Sequence, residues 1–389
     1  MPTTYLTTDT ELASIADAIR TKGGTSAALT YPTGFISAIN DISGGNTDVE
    51  DSIVTRTISG TYENSRVTIV GWSAFAHCES LISVNFPNVT TVDSCAFDYC
   101  TSIQTAIFPK ASVISTSAFN YCYSLATISF PLATTIGYSA FGNCSGLTSV
   151  YLPSATSLDY YAFANCTNLT SINFPNVSLI GPSAFLSCSK LTTINCPSVQ
   201  GIDTSAFAYC TSLTTASFSL VQVINAGAFM GCTKLATLNF PSVTQIYGSA
   251  FRSCTSLTTI SSGVFPSALN ISTYAFANCT KITDVYFPKV STIGTYAFNS
   301  CSSMTMASFP NATNIGTNAF RSCYRLISLY LLGSSMVTLA AGAAFTSTPI
   351  STYSTVAGRY GSIYVPASLY ASYKTAIGWS AFSSRFVSV

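Results

Sequence analysis

An alanine–phenylalanine pair returns every 22 residues along this chain, its ring at Phe75, Phe97, Phe119, Phe141, Phe163, Phe185, Phe207, Phe229 and Phe251. The series continues at Phe276, Phe298, Phe320 and Phe345, with three residues inserted before Phe276 and before Phe345. Such regularity leaves few architectures open. One coil of this length cannot bury its own apolar side chains, so successive coils must stack and cover one another.

Each period reads I-G-x-x-A-F-x-x-C-x-x-L-x-x-I-x-F-P-x-V-T-x. In Leu169 to Pro175 the strand residues Ile172, Asn173 and Phe174 alternate in, out and in, with the apolar ones inward, as a short strand with one buried face requires. Proline follows most of these strands, for example Pro87, Pro153 and Pro288; it donates no hydrogen bond and ends the strand. The xAFxxC portion is too short for a long helix and predicts one helical or 3₁₀ turn. The expected fold is a leucine-rich-repeat solenoid of about 13 coils, an α/β repeat with one short parallel strand per coil and helical turns.

Twelve of the fourteen cysteines fall in one column, from Cys78 to Cys323. Neighbours are 22 or 25 residues apart, unlike the close spacing of metal-ligand cysteines. A disulfide needs Cβ atoms about 3.8 Å apart, whereas stacked strands repeat at about 4.8 Å. The column therefore predicts a ladder of buried free thiols, each a weak donor to a neighbouring turn. Cys196 replaces the strand phenylalanine, and Cys95 lies outside the column with no assigned role.

Only 7% of residues are charged, against roughly 25% in an ordinary soluble domain. The net charge of +1 gives no basic surface for nucleic acid, and no apolar run reaches the roughly 18 residues of a membrane span. His77, the only histidine, sits in a variable turn, and the acids past residue 71 are scattered. No pair of carboxylates is spaced for acid–base work, and no phosphate-binding, dinucleotide-binding or Ca²⁺ loop occurs. These readings predict a protein that is not an enzyme and holds no cofactor and no metal.

What remains is surface. The outward strand position carries Tyr151, Asn173, Asn195, Asn239, Tyr286 and Tyr330, beside a column that is almost all Ser or Thr. Tyrosine, serine and asparagine on a rigid frame suit recognition, because Tyr offers amphipathic area at low entropic cost. β-surfaces also favour Thr and Tyr for their own packing, so a bland structural face is the competing reading. These six residues, on what is expected to be a concave strand face, are the candidate ligand-binding positions.

The column pattern resembles the BspA-like, or treponemal-type, leucine-rich repeats, with Phe, Cys, Leu, strand Phe and Pro all in step over residues 71–347. That resemblance implies a bacterial surface or secreted protein that binds host or microbial components. The segment Asp9 to Ile42 resembles a module of phage and prophage tail-associated proteins of gut Firmicutes. Its Leu12, Ile15, Ala16 and Ile19 predict an amphipathic helix, and Phe35, Ile36 and Ile39 a second short one. The expected domains are a small helical N-terminal attachment module (1–45), an N-terminal cap (46–70), the repeats (71–347) and a C-terminal cap (348–389). Asp41 to Asp51 reads as a flexible joint. In the C-terminal cap Pro366 is expected to end a strand, and Ser368 to cap a helix through Ile377 that Gly378 closes.

The first twenty residues carry no basic start followed by an apolar run, which predicts no secretory leader. Together with the module resemblance, this implies a phage-tail adhesin assembled in the host cytoplasm and residing in the virion. Its partners would be a bacterial surface glycan (preferred) or protein, and tail or baseplate proteins held through residues 1–45. Tail fibres are commonly trimeric, so a homo-oligomer is entertained, although no residue pattern specifies one. The alternatives are a bacterial cell-surface or secreted adhesin and a structural spacer in a tail.

Overall fold

The computed structural model describes residues 48–49, 58–340, 343–352 and 354–389. The N-terminal module of residues 1–45 with its two expected helices, and the Asp41–Asp51 joint apart from Asp48 and Val49, lie outside the described residues. The chain divides into two compact units between Leu169 and Thr170. Each unit is a stack of coils built on one plan: a two-residue strand, a run of turns around the Ala–Phe pair, then a second short strand.

In the first unit the two-residue strands run from Asp48–Val49 and Ile69–Val70 to Ser157–Leu158, each paired in parallel with the next. A second parallel ladder joins Gly60–Glu63, Leu81–Asn85, Thr105–Ile107 and Thr127–Ser129. Partners are 22 residues apart, as in Thr105↔Thr127, so the sequence period is the register of the sheet. The second unit repeats the plan from Leu179–Ile180 to Thr338–Leu339. Its other ladder comes in three pieces: Ser171–Asn173 with Thr193–Asn195, Thr215–Ser217 with Thr237–Asn239, and a six-stranded run from Thr259–Ile260 to Phe386–Ser388.

Two local expectations are corrected. One strand per coil is too few, because the Val-Thr-x-Ile stretch forms a ladder of its own. Two residues are too short for alternation to be seen in sequence, yet the second of each pair (Val70, Val92, Ile114, Ile136) is fully buried or nearly so. The xAFxxC segment is neither helical nor 3₁₀ but a chain of turns. Ala74, Ala76 and Cys78 donate N–H three residues back within the coil, to Gly71, Ser73 and Phe75. The intervening Ser73, Phe75 and His77 donate instead to Ser94, Ala96 and Asp98 of the next coil, at 3.0, 2.7 and 2.7 Å. A helix would keep all these N–H groups to itself. Left-handed backbone at Ser73 (φ 52°) and His77 (φ 62°) turns alternate groups towards the neighbour.

That conformation recurs two residues before and two after each phenylalanine of the Ala–Phe column from Phe75 to Phe320, and after Phe345 at Ser347. It costs roughly 1–2 kcal/mol for a residue with a Cβ, and each inter-coil hydrogen bond returns about 0.5–1.5 kcal/mol. Cys95 finds its place here: with φ 58° it occupies the column of Ser73, Ser117 and Ser139.

The core is columnar. In the first unit Phe75, Phe97, Phe119, Phe141 and Phe163 stack with centroids 4.9–5.3 Å apart and near-parallel planes. In the second, Phe185 to Phe345 stack in the same way with centroids 5.2–5.7 Å apart. Each buried ring contributes about 2–3 kcal/mol gross, and each ring pair about 0.5–1.5 kcal/mol more. The cysteine column is free and buried, as expected. Ten of the twelve donate to the carbonyl of the phenylalanine one coil back, as Cys122 to Phe97 and Cys254 to Phe229, both at 3.2 Å.

At the C-terminal end Ser362–Val365 stops at Pro366. Ser368 caps nothing: it lies inside a 3₁₀ turn, Ala367–Leu369, that leads into a helix at Tyr370–Thr375. Pro366 sets the entry with φ −58°, so the first turn closes through Leu369 N–H to Pro366 O and needs no side-chain cap. Trp379 and Phe382 pack on Phe345, and Trp379 Nε1 donates to Val337 O at 2.6 Å. No helix among the described residues is long and apolar enough to cross a membrane.

Candidate functional site

The outward positions of the longer ladder are brought into columns by the register. In the second unit Asn173 stands beside Asn195, and Ser217 beside Asn239. Tyr286, Ser308, Tyr330 and Tyr364 follow one another on adjacent strands. Tyr364 was not among the sequence candidates. It belongs to the column only because Ser362–Val365 pairs with Ser328–Tyr330 at a step of 34 residues, which no 22-residue period announces.

These side chains partly satisfy one another. Asn195 Nδ2 donates to Asn173 Oδ1 at 2.9 Å, and Asn239 Nδ2 to Ser217 Oγ at 3.0 Å. The donating amides of Asn195 and Asn239 each retain a second N–H. Tyr330 is half-buried against Tyr364, centroids 4.4 Å apart. Tyr286 is 38% exposed, and Asp284 on the same strand lies 3.2 Å from Thr305 Oγ1, whose single proton is shared between this carboxylate and Thr283 O. Tyr151 belongs to the first unit and is 60% exposed. It borders a cavity of about 310 Å³ lined by residues 126–131 of one coil and by Thr148, Ser149, Tyr151 and Pro153 of the next.

Much of the neighbouring hydroxyl surface is structural. Thr283 Oγ1 donates to Thr258 O and Thr305 Oγ1 to Thr283 O, while Thr134 and Ser112 do the same beside the two-residue strands. These hydroxyls tie each coil to the one before.

The turn side carries a second polar and aromatic array. His77 stacks on Tyr99 at 4.9 Å, and Tyr99 on Tyr121 at 4.4 Å. Asn165, Asn143 and Asn120 pass amide hydrogen bonds down to Asp98. Burial pushes the Asp98 carboxyl up, opposed by the Asn120 bond and by His77. Burial, and then Asp98 and Asp93, push the half-buried Cys95 thiol up, away from the thiolate a nucleophile needs. Burial likewise pushes up the thiols of Cys100, Cys122, Cys210, Cys254 and Cys301, and those of Cys232, Cys279 and Cys323 to about 12. Among the described residues no three His, Cys, Asp or Glu side chains converge as metal ligands. The arrangement offers recognition by stacking and hydrogen bonding.

Comparison with known proteins bears on this reading. The family model described as BspA type leucine-rich repeat region (six copies) matches residues 57–157, 134–258 and 257–358. No curated protein matches the chain significantly. Among solved structures, a leucine-rich repeat protein from Bacteroides ovatus is 22% identical with a TM-score of 0.64, the match covering 85% of this chain and 94% of that one. The pneumococcal vaccine antigen PcpA is 16% identical with a TM-score of 0.52, over 88% of this chain and 90% of that one. At these identities the likeness is one of fold.

Proposed function

Because the chain belongs to the BspA-type leucine-rich repeat family, we propose that it is a non-enzymatic adhesin recognising a bacterial surface component, a glycan in preference to a protein. The observation that carries this is the longer-strand face of each unit, where an exposed tyrosine (Tyr151 in the first, Tyr286 in the second) stands among hydroxyl residues. Such a face binds by ring stacking and neutral hydrogen bonds, which suits an uncharged polymer of hydroxyl groups better than a charged ligand. The carrier we propose is a phage or prophage tail, held through residues 1–45; the resemblance of Asp9 to Ile42 supports it. Family membership favours a second reading, an adhesin on a bacterial surface.

The test is binding of the full chain to intact Gram-positive gut bacteria before and after enzymatic removal of wall polysaccharide. Saturable binding that disappears on stripping is expected. Binding that survives stripping points to a protein receptor, and absence of binding across a broad panel overturns the adhesin reading in favour of a structural spacer. Immunogold labelling of particles and of cells separates the two carriers.

A further inference from the structure

In the first unit the longer ladder is unbroken from Gly60–Glu63 to Thr127–Ser129 and then stops, for the next strand, Ser149–Tyr151, does not pair with it. Where the ladder is continuous, the residue after a strand donates its N–H to the last strand residue of the following coil, as Phe86 to Ile107 O and Phe108 to Ser129 O, both at 3.0 Å. The equivalent bond from Phe130 to Tyr151 O is absent. The 310 Å³ cavity lies at this opening, and Phe130 and Tyr151 both line it.

The side chains beneath suggest why the ladder opens here. The strand phenylalanines Phe86, Phe108 and Phe130 stack at 5.2 and 5.1 Å, and the next position is Leu152, which has no ring to continue the column. Cys196 interrupts the same column in the second unit, and there too the ladder opens, between Thr193–Asn195 and Thr215–Ser217. Leu331 makes a similar replacement without an opening, since Ser308 still pairs with Tyr330. A third opening, between Thr237–Asn239 and Thr259–Ile260, comes where Phe240 still stacks on Phe265 at 5.6 Å, in a coil with three inserted residues. Loss of a ring is therefore one route to a gap; it neither forces one nor is required for one.

Main-chain groups left without a partner away from water cost about 1–3 kcal/mol each, and native structures seldom leave them idle. Around them stand the hydroxyl residues Thr127, Ser129 and Ser149, two prolines and the exposed Tyr151 ring, with no ionisable acid or base in the lining. An ionic ligand would lose its hydration there without a countercharge. A peptide strand would need the lips parted to roughly twice the 4.8 Å ladder spacing, and three-residue strands would offer it few bonds. The volume lies at the small end of ligand pockets, which run from about 300 Å³ upward.

Resting on the adhesin reading, we propose that this opening is a carbohydrate subsite that takes one ring of a neutral glycan. The sugar's apolar face lies on Tyr151, and its hydroxyls bond to the Phe130 N–H, the Tyr151 carbonyl and the flanking hydroxyls.

The experiment is amide NMR on the full chain, with labelled phenylalanine and tyrosine, titrated with the methyl glycosides of glucose, galactose, rhamnose and N-acetylglucosamine. At least one glycoside should shift the Phe130 and Tyr151 amides at millimolar concentration and leave Phe108 unmoved. Tyr151→Ala, at an exposed position, should weaken this at least tenfold, and Leu152→Phe, which restores the ring column, should abolish it. Shifts elsewhere, or no shift from any glycoside while the chain still binds bacteria, would overturn the subsite and leave the adhesin reading standing. So would bacterial binding that Tyr286→Ala removes and Tyr151→Ala does not. A seven-residue Thr–Val peptide moving Phe130 where no sugar does would reassign the opening to peptide. If neither glycosides nor bacteria are bound, both proposals fail.

Discussion

The thiol of Cys100 donates to the main-chain oxygen of Phe75, 2.9 Å away and one coil back. That oxygen already accepts from the N–H of Cys78 at 3.1 Å. Cys100 thus joins its own coil to the previous one inside the core, and nine other column cysteines repeat the bond. Replacing one, as in Cys210→Ala, removes both the contact and the bond to Phe185 O. The expected loss is about 1–2 kcal/mol, read as a lower urea midpoint.

Stability should fall in alkali. Burial raises Cys196, Cys232, Cys279 and Cys323 from the ordinary value of 9.0 to about 12. As pH rises the unfolded chain therefore releases these thiol protons before the folded one does. Their contribution is complete below about pH 9 and is lost progressively as pH climbs towards 12, by at most about 1.4 kcal/mol per thiol per pH unit. Thermal midpoints at pH 7, 9 and 10.5 should hold over the first interval and drop over the second. Serine at these four positions should flatten the drop.

Gly231 tests the cost of the turns. It is left-handed, with φ 72°, and a Cβ built there would come within 2.6 Å of the Tyr209 ring. Gly231→Ser should destabilise the protein by about 1–2 kcal/mol. Adding Tyr209→Ser removes the ring conflict and should recover part of the loss, leaving the backbone share. Denaturation of the two single variants and the double variant measures the coupling.

The two tryptophans report on different regions. Trp72 is 66% exposed, whereas Trp379 is 1% exposed and bonded to Val337 O. Iodide should quench Trp72 and spare Trp379 until the C-terminal coils open. Trp379→Ala should cost about 3–5 kcal/mol and lower the temperature at which those coils lose protection from hydrogen exchange.

Hydrogen exchange also tests the ladder opening without any ligand. Phe108 N–H is bonded to Ser129 O, and its counterpart at Phe130 has no such bond. Phe130 should exchange at least tenfold faster, and Leu152→Phe should slow it. Equal protection would mean that the strands close in solution.

The sequence by itself determined the solenoid. A 22-residue step of Phe, Cys, Leu and Ile records burial coil by coil, because each coil meets nearly the same surroundings and burial selects residue type locally. It also fixed the fate of the thiols, since a column spaced like stacked strands is too wide for disulfides. Only the tertiary structure decided how alternate N–H groups of the Ala–Phe turn are shared between coils. Left-handed backbone at Ser73, His77 and Cys95 leaves little trace in sequence, because Ser, Tyr, Asn and Gly all fill those columns. Likewise, Tyr151 is legible as an outward residue, but the opening beside it is not. Whether Phe130 N–H reaches Tyr151 O depends on the spacing between whole coils, which the packing of rings sets jointly and no single residue encodes.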